Sequence, residues 1–178
     1  MNEQVLGQAG DRLKVVVYSH DRLVRQQVRL TLGRKVAADL PEVEIFEFAT
    51  QPALLSALAE QVFDVAVLDG EARPGGMGLS HQIKDEIPAA PPVVLLIARL
   101  ADAWLATWSR AEAVCAYPID PIRLPAEVAR VVRETRAGVP GELHACEVAP
   151  GVGSRHGADD GHGVPGAVGT AHGPRGGI

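Results

Sequence analysis

Three short stretches, residues 13–18, 63–68 and 92–97, are apolar at nearly every position and rich in β-branched residues. A half-exposed strand alternates apolar and polar side chains. A run without alternation reads as a strand buried on both faces. Three such strands require a sheet covered on both sides, and parallel strands joined by helices supply that cover. The middle run ends Val67-Leu68-Asp69 and passes into the loop Gly70-Glu71-Ala72-Arg73-Pro74-Gly75-Gly76. In open parallel sheets, ligands and chemistry gather beyond the strand ends. Asp69 therefore either carries chemistry at the rim of the sheet or only accepts N–H bonds from the loop after it.

The stretches between the runs read as helices. Ser19-His20-Asp21 sets N-cap residue types before a segment in which Leu23, Val24, Val28, Leu32 and Val36 recur at helical spacing. Asp39-Leu40-Pro41-Glu42 ends that helix, and residues 43–49 alternate, which suits a strand near the sheet edge. Thr50 caps a short helix with Pro52 in its first turn and Leu54, Leu55 and Leu58 on its apolar face. Residues 78–87 form a helix stopped by Pro88, residues 101–110 another, and residues 113–117 a short strand. Asp120 is the expected N-cap, and Pro121 the first position, of a last helix that reaches about Arg136 with Leu124, Val128, Val131 and Val132 inward. Five strands alternating with five helices predict a parallel sheet with right-handed crossovers.

The chain divides into a lead-in over residues 1–11, one domain over 12–136 and a Gly/Pro/His-rich tail over 137–178. The tail lacks apolar periodicity and is expected to be disordered, because it buries too little to offset its chain entropy. Its histidines, His144, His156, His162 and His172, are scattered, which argues against a metal site. A net charge of −5 makes no electrostatic case for nucleic acid or a membrane surface. No apolar run approaches the roughly 18 residues of a membrane helix, and residues 1–10 lack the apolar core of a signal peptide. Cys115 and Cys146 are far apart in sequence, so a disulfide scaffold is not expected and a reducing cytoplasm is. The bulky, glycine-free loop Ser19-His20-Asp21-Arg22-Leu23 argues against a flavin phosphate site.

The (βα)5 order, the Leu68-Asp69 strand end, the loop Pro74-Gly75-Gly76-Met77-Gly78 and the closing Tyr117-Pro118-Ile119-Asp120-Pro121 together resemble a bacterial response-regulator receiver domain of the CheY-like superfamily. The resemblance covers roughly Leu13 to Arg136. It implies a flavodoxin-like α/β sandwich with sheet order 2-1-3-4-5 and an active site at the C-terminal edge of the strands. It also implies a cis Tyr117–Pro118 peptide and phosphoryl transfer from a histidine kinase to Asp69. The family's remaining chemistry is mostly replaced. Ser19 and His20 stand where two acidic residues would hold Mg²⁺, and Asp21, one position late, suits an N-cap. Ile97 stands for the hydroxyl residue after the fourth strand, and Tyr117 for the lysine before the proline. Glu71, Arg73 and Arg99 are loop groups able to restore some charge, a solvated loop position being the plainer reading of each. The expected pocket comprises Asp69, Ser19, His20, Asp21, Gly70, Glu71, Ile97, Tyr117 and Pro118, with no metal and no cofactor. His20 is expected beside Asp69, either ion-paired with it or as an exposed loop histidine.

Trp104 and Trp108 are four residues apart on one helical stretch and share a face. Leu105 and Trp108 fit an inward stripe with Ala101, which leaves Trp104 the better candidate for exposure. In receivers this helix contributes to the partner surface, where an exposed indole is a strong anchor. The expected function is an atypical single-domain receiver, a pseudo-receiver, in two-component signal transduction. It is expected to act in the cytoplasm as a protein-interaction module, without enzymatic activity or Mg²⁺-dependent phosphotransfer. The expected partner is a histidine kinase or another signalling protein, not nucleic acid or a membrane. The alternative is a receiver still phosphorylated on Asp69 in a phosphorelay.

Overall fold

The computed structural model describes residues 12–99, 103–139 and 143–146. The chain divides into residues 1–147 and 148–178, and every described residue lies in the first unit. The element order is β1 (Leu13–Tyr18), α1 (Arg22–Leu32), β2 (Val43–Phe48), α2 (Gln51–Glu60), β3 (Val65–Asp69), α3 (Gly76–Glu86), β4 (Val93–Ile97), α4 (Ala103–Ser109), β5 (Ala113–Ala116), α5 (Arg123–Arg136) and β6 (His144–Ala145). The strands form one sheet in the order β2-β1-β3-β4-β5-β6, and every pair is parallel. The expected flavodoxin-like 2-1-3-4-5 core is present, with β2 at one edge. A sixth strand is added at the other.

Burial explains why the strands lack alternation. Val15, Val17, Val65, Val67, Val94 and Leu96 face α1 and α5 through Val28, Leu32, Leu124, Val128, Val131 and Val132. Val16, Ala66, Leu68, Val93, Leu95 and Ile97 face the opposite side, against Leu54 and Leu58 of α2 and Leu79 and Ile83 of α3. Each central strand therefore has two apolar faces, as parallel strands between helical layers do. The pairings Tyr18↔Leu68 and Leu68↔Leu95 align the C-terminal strand ends at one rim.

Several local expectations are corrected. The first helix ends at Leu32, because Gly33 takes φ 58°, a conformation that suits glycine and closes the helix. Val36 packs against the core from the turn beyond it. Leu23, placed on the apolar stripe, is 70% exposed. Asp120 does not sit directly before its helix, which starts at Arg123. Its carboxylate instead accepts from the N–H groups of Ile122 (2.8 Å) and Arg123 (2.9 Å), so it caps the turn that leads in.

The largest correction concerns the tail expected to be structureless from residue 137. Residues 143–146 return to the sheet. His144 and Ala145 pair in register with Ala113 and Val114. The His144 N–H donates to the Glu112 carbonyl (3.0 Å), and the Cys146 N–H to the Val114 carbonyl (2.8 Å). His144 is no scattered tail histidine but lies 2.9 Å from the Glu127 carboxylate through Nδ1. Cys115 and Cys146, expected to stay apart, are joined in a disulfide with their Cα atoms 5.0 Å apart. Distance along the sequence hid this, because β6 brings residue 146 beside β5. The lead-in, Leu100, Ala101, and the tail beyond residue 146 with His156, His162 and His172 lie outside the described residues. Among the described residues no helix is long and apolar enough to cross a membrane.

Candidate functional site

The rim of the sheet collects the ends of β1, β3, β4 and β5. Asp69, the last residue of β3, is 3% exposed. Both of its carboxylate oxygens are engaged. Ser19, just past β1 and fully buried, donates its hydroxyl to Oδ2 at 2.6 Å. Tyr117, just past β5, donates its hydroxyl to Oδ1 at 3.0 Å, and the Glu71 N–H donates to the same oxygen at 3.0 Å. These are hydrogen bonds to a carboxylate inside a mostly desolvated site, where such bonds are short and strong.

The neighbours of Asp69 are themselves held. Ser19 Oγ accepts the Asp21 N–H at 3.0 Å. Asp21 is the N-cap of α1, and its Oδ1 accepts the Leu23 N–H at 2.8 Å. Arg25 donates to the Ser19 carbonyl at 2.6 Å and lies 3.5 Å from Glu47. Glu71 turns away from Asp69, and its Oε1 accepts the Ala98 N–H at 3.1 Å. The buried Tyr18 hydroxyl donates to the Pro74 carbonyl at 2.8 Å and ties the loop after β3 to β1. Gly70 donates to the Leu96 carbonyl at 2.7 Å. A Cβ on Gly70 would stand 2.6 Å from that oxygen, so the loop leaves β3 in close contact with the β4 backbone. Arg73–Pro74 and Tyr117–Pro118 are both cis, the second as expected.

The expected pocket is thus largely brought together, but not with the expected contacts. His20 forms no ion pair with Asp69 among the described contacts. It is exposed, and its Nδ1 accepts the Arg73 N–H at 3.2 Å. Ser19 is fully buried just past β1, whereas His20 stands one residue further on, in the exposed turn into α1. Ile97 is buried and presents only hydrocarbon to the rim. Pro118 and Arg99 are exposed. Tyr18 and Arg25 were missed by sequence reasoning. Tyr18 reads as a core aromatic and Arg25 as helix surface, and nothing in their spacing points to the loop or to Ser19.

The two tyrosines have a testable titration. Burial, and then the negative charge of Asp69, push the phenol of Tyr18 above its ordinary range. The same two causes, with the hydrogen bond to Asp69 third, push Tyr117 up further, and Glu71 and Asp21 add to the effect. These are the only tyrosines in the chain. In the unfolded chain both ionise near pH ~10. Above that pH the unfolded state binds fewer protons than the folded one. The stability from the protonated phenols is therefore complete below about pH 10 and is lost as the pH rises beyond it. The expected result of an alkaline absorbance titration is no phenolate signal until circular dichroism reports unfolding. A phenolate band developing near pH 10 in folded protein contradicts the geometry.

The other expected site residues lie on α4. Trp104 is 70% exposed and Trp108 56%. Both are thus open to solvent, including the one expected in the core. Trp108 stacks flat on His81 of α3, with ring centroids 4.6 Å apart and an interplanar angle of 6°. The His81 ring nitrogens face the Trp108 carbonyl (3.0 Å) and the Asp85 carboxylate (3.2 Å). The side chain of Leu105 lies outside what is described.

No protein-family model matches the chain. Two curated proteins, from the CDC 1551 and H37Rv strains of Mycobacterium tuberculosis, are each described as an uncharacterized response regulatory protein. Each is 43% identical over 122 residues, covering 68% of this chain and 92% of the relative. Among solved structures, a Francisella response-regulator receiver domain superposes with a TM-score of 0.59 at 18% identity, covering 70% of this chain and 99% of its own. A putative response regulator from Chloroflexus aurantiacus gives 0.60 at 16% identity, covering 68% and 98%. The structures establish the fold, and the mycobacterial relatives establish the family. An aspartate closing β3 at the rim of a 2-1-3-4-5 parallel sheet, together with 43% identity across nearly the whole length of those relatives, places this chain in the response-regulator receiver family.

Proposed function

We propose that this receiver signals in the cytoplasm by binding a protein partner through the α4 face, without Mg²⁺-dependent phosphotransfer and without enzymatic activity of its own. The observation that carries the reading is the engagement of both Asp69 oxygens by Ser19, Tyr117 and the Glu71 N–H. Mg²⁺ prefers octahedral oxygen donors and keeps several waters. The carboxylates around Asp69 do not fit it: Asp21 caps α1, and Glu71 is bonded to the Ala98 N–H. Among the described residues no group of three or more His, Cys, Asp or Glu side chains is placed to hold a metal. Ile97 offers no hydrogen bond to a phosphoryl oxygen, and Tyr117 brings a hydroxyl where a cation would neutralise charge. The exposed indoles of Trp104 and Trp108 support the partner surface.

A second reading keeps Asp69 as a phosphoryl acceptor. It is favoured by the position of Asp69 at the rim, with hydroxyl and N–H donors on several sides that also suit phosphoryl oxygens. One experiment separates the two. The full chain is incubated with Mg²⁺ and acetyl phosphate, and separately with Mg²⁺ and beryllofluoride. Intact mass and Trp fluorescence are followed. The proposal expects unchanged mass, unchanged fluorescence and no saturable Mg²⁺ binding in the range ordinary receivers show. A phosphoryl mass gain that Asp69→Asn abolishes establishes the second reading instead.

A further inference from the structure

We propose that Cys115 and Cys146 form a redox-responsive clasp that sets whether the outer edge of β5 is covered by the chain's own residues 143–146 or left open. Three observations meet there. First, β6 is only two residues long and lies at the edge of the sheet. It pairs with β5 over two register positions, Ala113↔His144 and Val114↔Ala145, with flanking backbone bonds from His144 to Glu112 (3.0 Å) and from Cys146 to Val114 (2.8 Å) and the His144–Glu127 contact beside them. So short an attachment does not by itself offset the entropy of ordering the segment. Second, the disulfide spans 31 residues and joins β5 to the residue directly after β6. A cross-link of that span removes much of the freedom the segment would gain on release. Third, the buried strand residues of both core clusters lie in the four central strands β1, β3, β4 and β5, and Cys146 is the one described residue beyond α5 that is buried. Opening the clasp therefore leaves the receiver core folded and changes one edge.

That edge matters because a strand with unpaired N–H and C=O groups is a template for pairing. β5 follows α4, which carries Trp104 and Trp108, so the clasp covers the strand next to the exposed indoles. The chemistry is thiol–disulfide exchange with a dithiol reductant. A reductant thiolate attacks one sulfur of the Cys115–Cys146 bond and forms a mixed disulfide, releasing the other cysteine as thiolate. The second reductant thiol then closes its own disulfide. Two electrons and two protons pass to the cysteines, giving two thiols and one oxidised reductant. Both cysteines are buried when the clasp is shut. Access to them comes from local opening of the edge, the kind of small excursion that short peripheral strands make.

The clasp lies at the β5–β6 edge, away from the Asp69 hydrogen bonds, and opens or closes independently of how Asp69 behaves. The test uses the full chain in oxidised and reduced dithiol buffers, with intact mass, hydrogen exchange and circular dichroism. Mild oxidation is expected to lower the mass by two hydrogens. Reduction is expected to speed amide exchange of His144, Ala145 and Cys146 by about tenfold or more, while α1 and β3 keep their protection. Cys146→Ser is expected to show the reduced pattern in either buffer. Absence of the two-hydrogen loss overturns the clasp. So does equal protection of residues 144–146 in both buffers, which would mean that strand pairing alone holds the segment.

Discussion

Replacing Gly76 by alanine is expected to lower stability by about 2–3 kcal/mol, the upper part of the range for overpacking a close-packed site. Gly76 begins α3 where the helix abuts the end of β3. A Cβ there would stand 2.4 Å from the Asp69 carbonyl oxygen, 2.8 Å from its carbonyl carbon and 3.2 Å from the Gly70 nitrogen. All three are backbone atoms, so no side chain can swing aside. Either α3 withdraws or the 69–70 backbone shifts, and that backbone carries the Asp69 carboxylate. Gly78, two residues on in the same helix, is the control, because a Cβ there meets nothing within 4 Å. Gly78→Ala is expected to stabilise by roughly 0.5–1 kcal/mol through the better helix propensity of alanine. Denaturant midpoints of the two variants should therefore move in opposite directions. Equal midpoints would mean that the β3–α3 junction relaxes freely and that Gly76 is not needed for the close approach.

Trp104→Ala is expected to separate binding from stability. At 70% exposure the indole contributes little to the core, so the change in unfolding free energy should stay within about 1 kcal/mol. If Trp104 anchors a partner, its loss should weaken capture by about 2 kcal/mol or more, roughly thirtyfold in dissociation constant. Trp108→Ala should behave differently. Its ring stacks on His81, and its loss should cost about 0.5–1.5 kcal/mol of stability in addition to any effect on binding. The measurement is paired: denaturant unfolding of each variant, and affinity for a partner isolated with the wild-type chain. A Trp104→Ala protein that is strongly destabilised yet binds normally would assign Trp104 to the core and move the partner surface elsewhere.

Much of this protein is legible without coordinates. Strands 13–18, 65–69 and 93–97 carry apolar residues on both faces, and only a parallel sheet between helical layers hides both. Asp69 at the end of the middle strand follows from where that run stops. That Ser19, His20, Ile97 and Tyr117 gather at the same rim follows from each standing at or just past the end of a strand. The exposure of Trp104 follows from its place at the margin of a helical stripe, whereas Trp108 escapes the same argument because its partner, His81, belongs to another helix.

Tertiary structure alone decided three things. It decided that Ser19 and not His20 meets Asp69, because both lie past the end of β1, where the turn into α1 rather than the strand pleat sets which side chain is buried. It decided that α1 closes at Gly33 although the apolar spacing runs on to Val36, since Val36 reaches the core equally well from a turn. And it decided that residues 143–146 lie beside β5 and bring Cys146 to Cys115. Local sequence carries no signal for that pairing, because a two-residue strand has no periodicity, and its place depends on where α5 returns the chain.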